Sequence, residues 1–221
     1  MTDLPFRYDP AHAALIVVDV QNDFCSPDGS LGKIGNDVSA AVTMVPRLQG
    51  LIDAAHGAGL PVIFIQTLHD ETNDSPQWLN RHGEPGKNRS SITCRTGTWG
   101  ADFYEVGPVA GDLVVNKYRY SAFVGTNLQI VLTTLGVESL LFTGVATEVC
   151  VESSLRDGLF AEYYVTLVDD CAASYDQAAH DASVRGVAKN FGTVVSSGYL
   201  EGLWAEAPAE AAEQVLAAAV A

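Results

Sequence analysis

The feature that most narrows the fold is a series of short, unbroken apolar runs, each closed by polar or turn-forming residues. Residues 13–20 read AALIVVDV, 60–66 LPVIFIQ, 112–116 DLVVN, and 140–142 LLF ahead of Thr143-Gly144. Residues 163–169 (YYVTLVD) and 192–195 (GTVV) continue the series. A strand with water on one face alternates apolar and polar residues. A strand apolar on both faces belongs in a parallel sheet covered by helices on both sides. The segments between the runs carry helical periodicity. From Asp37 to Gly57, Val38, Val42, Val45, Leu48, Leu51, Ile52 and Ala55 recur at that spacing. Pro46 inside this pattern predicts a kink or a break between two helices. Thr126 to Leu135 is a predicted helix with Thr126 as N-cap, Leu128, Val131, Leu132 and Leu135 on one face, and Gly136 as its stop. Asp176 to Phe191 is another, with Ala178, Ala182, Val184 (or Arg185), Val187 and Ala188 inward. Alternating buried strands and amphipathic helices predict an α/β protein: three αβα layers around a doubly wound, Rossmann-like parallel sheet of about six strands. No repeat or linker divides the chain, so residues 1–221 are expected to form one domain, with an Ala/Glu-rich tail at 205–221 that carries no chemistry.

Composition excludes several classes of partner. The chain is 48% apolar and carries a formal charge of −15, with 12 Lys and Arg against 27 Asp and Glu. That balance opposes attraction to nucleic acid or to an anionic membrane. The N-terminal stretch lacks a basic region followed by a long apolar one, and no run has the length of a membrane span. A soluble, cytoplasmic protein is expected. Cys25, Cys94, Cys150 and Cys171 are widely spaced and form no C-x-x-C pair. They read as reduced thiols, not as a disulfide framework or a zinc site.

Chemistry is expected where strands end. Asp19, Lys117 and Cys150 each follow a separate apolar run at its C-terminal end. In a parallel sheet those ends share one edge, where α/β folds place their ligands. Cys150 lies three residues beyond Thr147, read here as a helix N-cap, so its thiol would sit in the first turn and have a lowered pKa. Alone, Cys150 also reads as a small buried hydrophobe, and Asp19 as a turn acid. Lys117 is harder to read as structural filler, because a buried ammonium requires a carboxylate partner and Asp19 is the natural one. Together they form a nucleophile, a base and a cation. The irregular stretch 67–111, which includes His69, Trp78, His82, Arg89, Arg95 and Trp99, is expected to cover the site.

The segment ALIVVDVQNDFC, the strand ending in Lys117, and TGVATEVCVESSLRDG together resemble the isochorismatase-like cysteine hydrolases, over about Ala13 to Val195. The resemblance implies an Asp19–Lys117–Cys150 triad and a cis peptide at Val145–Ala146. It also implies an oxyanion hole formed by the Ala146 and Cys150 N–H groups, and hydrolysis of a C–N bond through a thioester. Within that family the segments around Lys117-Tyr118-Arg119-Tyr120 and ATEVCVESSLRDGLFAEY look most like ureidoacrylate amidohydrolases, with N-carbamoylsarcosine amidohydrolases also similar. Tyr118 stands where that branch has proline, and Glu148 where it has asparagine. A small ureido, carbamoyl or amide substrate is thereby implied, contacted by Phe24, His69, Trp99, Arg119 and Tyr120. Nicotinamidases bind a metal through a D-x-H motif. Here Thr67-Leu68-His69 lacks the carboxylate, so no metal and no cofactor are expected. Nicotinamide or biuret hydrolysis, and outside hydrolysis a thiol redox or ligand-binding role, are the alternatives. A homo-oligomer, dimer or tetramer, is expected.

Overall fold

The computed structural model describes residues 5–82 and 92–206. Six parallel strands make one sheet: β1 (Ala13–Val18), β2 (Val62–Thr67), β3 (Leu113–Lys117), β4 (Ser139–Val145), β5 (Tyr164–Ala173) and β6 (Thr193–Val195). Their order is β3-β2-β1-β4-β5-β6. β1 is wholly buried, with Leu15 opposite Val62 on one side and Leu141 on the other. The chain runs outward from β1 to β3 and then returns to β4 on the far side of β1. The order in which strands are added therefore reverses between β1 and β4, and there a crevice opens beyond the strand ends.

Helices cover both faces, as the unbroken apolar runs require. One core joins Leu15, Val17 and Phe64 to α3 (Ser39–Gly57) and α8 (Ser197–Ala205) through Leu48, Leu51, Leu200 and Trp204. The other joins Ile16, Val18 and Phe142 to α5 (Leu128–Leu135), α6 (Glu152–Phe160) and α7 (Gln177–Asn190) through Leu132, Leu155 and Val187. The remaining helices, α1 (Asn22–Cys25), α2 (Ser30–Lys33) and α4 (Pro76–Leu79), are single turns above the C-terminal edge.

Local structure departs from the sequence reading at several points. Helix α3 is continuous through Pro46 and does not divide in two. Both Pro46 and Val42, whose carbonyl loses its partner, lie on the exposed face, where water replaces that bond. Helix α5 is capped by Asn127, while the Thr126 hydroxyl accepts from the Leu128 N–H at 3.1 Å. Helix α7 buries Ser183 and Val187, whereas Ala178, Ala182 and Ala188 are exposed. Its inward stripe is His180, Ser183, Val184 and Val187. Polar contacts to the turn after β4 set that rotation, and small alanines did not reveal it. Strand β3 is an edge strand with Leu113 and Val114 exposed, and β5 extends four residues past Asp169 through a register shift opposite Phe142 and Gly144. The tail beyond residue 206 lies outside the described residues. Among the described residues no helix is long and apolar enough to cross a membrane.

Two backbone positions prepare the crevice. Gly144 has φ +102°, and a Cβ there would sit 2.0 Å from the Val18 carbonyl oxygen. Only glycine lets β4 approach β1 so closely. Asp19 takes the left-handed region at φ +56°, uncommon for a residue with a side chain. That turn ends β1.

Candidate active site

Over the β1/β4 crevice lies a cavity of about 690 Å³. Its floor is polar and buried. The Lys117 Nζ lies 2.8 Å from Asp19 Oδ2, both side chains being 1% exposed. The ammonium also donates to Thr67 Oγ1 at 2.7 Å and to the Arg119 carbonyl at 3.0 Å. The Thr67 hydroxyl donates in turn to Asp19 Oδ1 at 2.9 Å. Lysine, threonine and aspartate thus close a ring that fixes the carboxylate, and Oδ2 has no hydrogen-bond partner beyond its ionic contact with the lysine. Gln21 holds Thr67 from behind. Its side-chain oxygen accepts from the Thr67 N–H at 2.8 Å, and its amide donates to the Thr67 and Ala101 carbonyls at 2.9 and 2.7 Å.

Burial pushes the Lys117 ammonium down, but Asp19 and Cys150 more than offset this and the net shift is upward. The lysine is therefore charged, and its reach crosses two strand ends. From β3 it passes over Thr67 at the end of β2 to Asp19 after β1.

Cys150 is supplied by the turn after β4. The Val145–Ala146 peptide bond is cis, and residues Thr147–Val151 form one π-helical turn that leads into α6. Val149 and Val151 both donate to the Ala146 carbonyl, at 3.0 and 3.2 Å. Ser154 Oγ donates to the Cys150 carbonyl at 2.7 Å and accepts from the Ala122 N–H at 2.9 Å, tying the turn to the segment after β3. Two expectations about this turn are overturned. Thr147 is not the N-cap; Ala146 holds that position, and the Thr147 hydroxyl pairs with His180 Nδ1 at 2.8 Å. The Cys150 thiol is not lowered but pushed up to about 12. Burial is the main cause, Lys117 opposes it, and the neighbouring Asp19 carboxylate adds to it. The neutral thiol is thus favoured, with the Asp19 carboxylate as its neighbour.

This has a measurable consequence at alkaline pH. The folded thiols of Cys150 and Cys171 are both held at about 12, against an ordinary 9.0. Between those values the native state binds more protons than the unfolded one, so their contribution is full below pH 9 and is lost as pH rises towards 12. Urea midpoints measured from pH 8 to 11 should fall, and the fall should shrink in Cys171→Ala.

The remaining expected contacts divide. Phe24, His69, Arg119 and Tyr120 line the cavity. His69 is buried and is held low chiefly by desolvation, with its Nδ1 3.0 Å from Asp74 Oδ1. Arg119 is half-buried, and among the described residues it pairs with no acid. It donates to the Asn73 and Tyr118 carbonyls and lies 4.8 Å from the centre of the Trp78 ring. Trp99 does not line the cavity. Its side chain is 53% exposed, because the 3₁₀ turn Trp99–Ala101 uses only its backbone, whose carbonyl accepts from Asn22. Trp78 takes the aromatic place instead, under Arg81, whose Nε donates to the Tyr120 hydroxyl at 2.9 Å. Arg95 pairs with Asp74 and does not line the cavity, and Arg89 lies outside the described residues. Sequence reasoning missed Thr67 as a ring member, Gln21, Arg81, Glu148 and Tyr175. Tyr175 follows β5, and its hydroxyl donates to the Phe24 carbonyl at 3.1 Å. The last four carried no periodic or spacing signal. Among the described residues no three His, Cys, Asp or Glu side chains are grouped to hold a metal.

Comparison with known proteins agrees with this architecture. Residues 13–198 match the isochorismatase domain family. A ureidoacrylate amidohydrolase RutB of Serratia proteamaculans is 37% identical over 199 residues, covering 85% of this chain and 80% of that protein. The one from Yersinia enterocolitica is 37% identical over 205 residues, covering 86% of each. Among solved structures, a cysteine hydrolase from Pseudomonas syringae pv. phaseolicola superposes with a TM-score of 0.80 at 26% identity, covering 92% of this chain and 99% of that one. N-carbamoylsarcosine amidase from Thermoplasma acidophilum superposes at 0.68 with 28% identity, covering 84% and 96%. The chain belongs to the isochorismatase family and is a hydrolase of carbon–nitrogen bonds in amides other than peptides.

Proposed function

We propose that this protein hydrolyses a small ureido acid by cysteine nucleophilic catalysis. The single observation that carries the reading is the buried Lys117–Asp19 pair, 2.8 Å apart, beside the only one of the four thiols that lines the cavity. In the proposed mechanism, Asp19 takes the Cys150 proton as sulfur attacks the carbonyl carbon. The N–H groups of Ala146 and Cys150 receive the developing oxyanion. Asp19 passes the proton to the departing nitrogen, the C–N bond breaks, and a thioester (a thiocarbamate for a ureido substrate) remains. Water, deprotonated by Asp19, attacks that carbonyl, and the thiol leaves reprotonated. Lys117 keeps Asp19 oriented and offsets its charge.

The relatives named ureidoacrylate amidohydrolase support the substrate class, and so does the cationic, aromatic side of the cavity at Arg119, Tyr120, Trp78 and Arg81. The Arg119 guanidinium is positioned by backbone carbonyls, which leave its charge uncompensated. A negatively charged protein needs such local cations to hold an anionic substrate. We further assign residues 1–221 to one hydrolase domain, in a cytoplasmic homo-oligomer. A thiol redox role has less support, because Cys25, Cys94 and Cys171 are buried away from the cavity lining.

The test is hydrolysis of 3-ureidopropanoate and its neutral amide, followed in the parent enzyme and in Arg119→Ala. The parent should prefer the acid. The variant should lose about ten- to a hundredfold in kcat/KM on the acid and little on the amide. Equal losses on both, or a parent preference for the neutral compound, would refute the ureido-acid assignment.

A further inference from the structure

The mechanism leaves one charged group in the cavity without a task. Glu148 sits in the same π turn as Cys150, two residues before it, and lines the same cavity. Its Oε2 is buried with no hydrogen-bond partner among the described residues. Covering a carboxylate oxygen without a donor is costly, so a donor from outside the protein is what such an oxygen is placed to receive. A carboxylate only accepts. The missing partner must therefore bring N–H or O–H groups, close to the carbon that Cys150 attacks.

The position of Glu148 in the sheet narrows this further. Arg119 and Tyr120 follow β3, whereas Glu148 follows β4, and β2 and β1 lie between. Three strand intervals, about 14 Å, separate the ends of the strands that carry the two groups. The cavity is thus cationic toward one end and carries its free acceptor toward the other. In a ureido group one N–H of each nitrogen lies on the edge opposite the carbonyl oxygen. That pair matches the two oxygens of a carboxylate, whereas a simple amide offers one nitrogen and cannot match both. We propose that Glu148 is a specificity residue that receives the paired N–H groups of a ureido substrate and so selects ureides over simple amides. This rests on the proposed reaction at Cys150, which places the ureido carbon next to the turn.

The experiment compares 3-ureidopropanoate with glutaramate, its analogue in which CH₂ replaces the inner N–H. Each is tested for protection of Cys150 against iodoacetamide, a binding readout that does not need turnover, and separately for hydrolysis. The parent should be protected at least tenfold better by the ureide. In Glu148→Gln, whose amide turns a donor toward the N–H pair, and in Glu148→Ala, that preference should fall to within about threefold. Melting curves of both variants establish that the fold persists. If either folded variant keeps the parent's preference, or neither compound protects the parent, the role of Glu148 is overturned. Protection with the expected preference but no hydrolysis would instead sink the catalytic reading and leave Glu148 as a recognition residue.

Discussion

Cys150→Ala is expected to reduce turnover by at least about 10⁴-fold while leaving the protein folded. Cys150 is well covered but small, so removing its sulfur should cost only about 1 kcal/mol of stability. In the parent, Cys150 should also be the first of the four thiols to react with iodoacetamide. The reason is access to the cavity and a neighbouring base, not a low pKa. With the thiol pushed up to about 12, little of it is thiolate at neutral pH. Were that preformed thiolate the attacking species, activity would climb about tenfold per pH unit from 7 to 9. Transfer of the proton to Asp19 during attack predicts a nearly flat profile over that range. It also predicts that Asp19→Asn loses about as much activity as Cys150→Ala. A Cys150→Ala enzyme within tenfold of the parent, or first labelling at Cys25, Cys94 or Cys171, would remove the nucleophile from the scheme.

The thiol shows where sequence reading succeeds and where it stops. Strand existence was legible because burial on both faces leaves an unmistakable apolar run, and the polar residue closing each run marks the edge where ligands gather. The sequence alone therefore suffices to place Asp19, Lys117 and Cys150 on one sheet edge. The Cys150 environment was not legible in the same way. Placement near a helix start argues for a lowered pKa, yet the turn is π-helical, Thr147 is engaged by His180 from α7, and burial outweighs the pull of Lys117. Desolvation is a property of the packed whole, so local spacing does not report it. Thr67 teaches the same lesson. In the sequence it marked only a missing metal-binding carboxylate, but in the fold its hydroxyl bridges Lys117 and Asp19. Trp78 and Trp99 lie in one irregular stretch, and the sequence reading chooses Trp99 as the substrate contact; the path of the chain gives that place to Trp78.

Lys117→Met is expected to destabilise the protein by about 3–5 kcal/mol and to abolish activity, and the reason lies in what it leaves behind. Asp19 is fully buried, so without the ammonium its charge has only the Thr67 hydroxyl for a partner. Asp19→Asn should cost a similar amount by stranding the ammonium, which is 1% exposed. A buried pair adds little over a neutral replacement, because both ions pay a large desolvation penalty. The double variant Asp19→Asn/Lys117→Met should therefore recover much of the stability lost by either single change. Its coupling energy should reach about 2–3 kcal/mol, readable as a double-mutant cycle from urea midpoints. Activity should not recover with it. The base would be gone in the double variant, and a neutral amide cannot take the Cys150 proton. Stability and turnover should thus separate within one set of four proteins. If each single variant costs under about 1 kcal/mol and the effects simply add, Lys117 and Asp19 are not a charged pair in the folded enzyme, and Asp19 loses its claim to be the base.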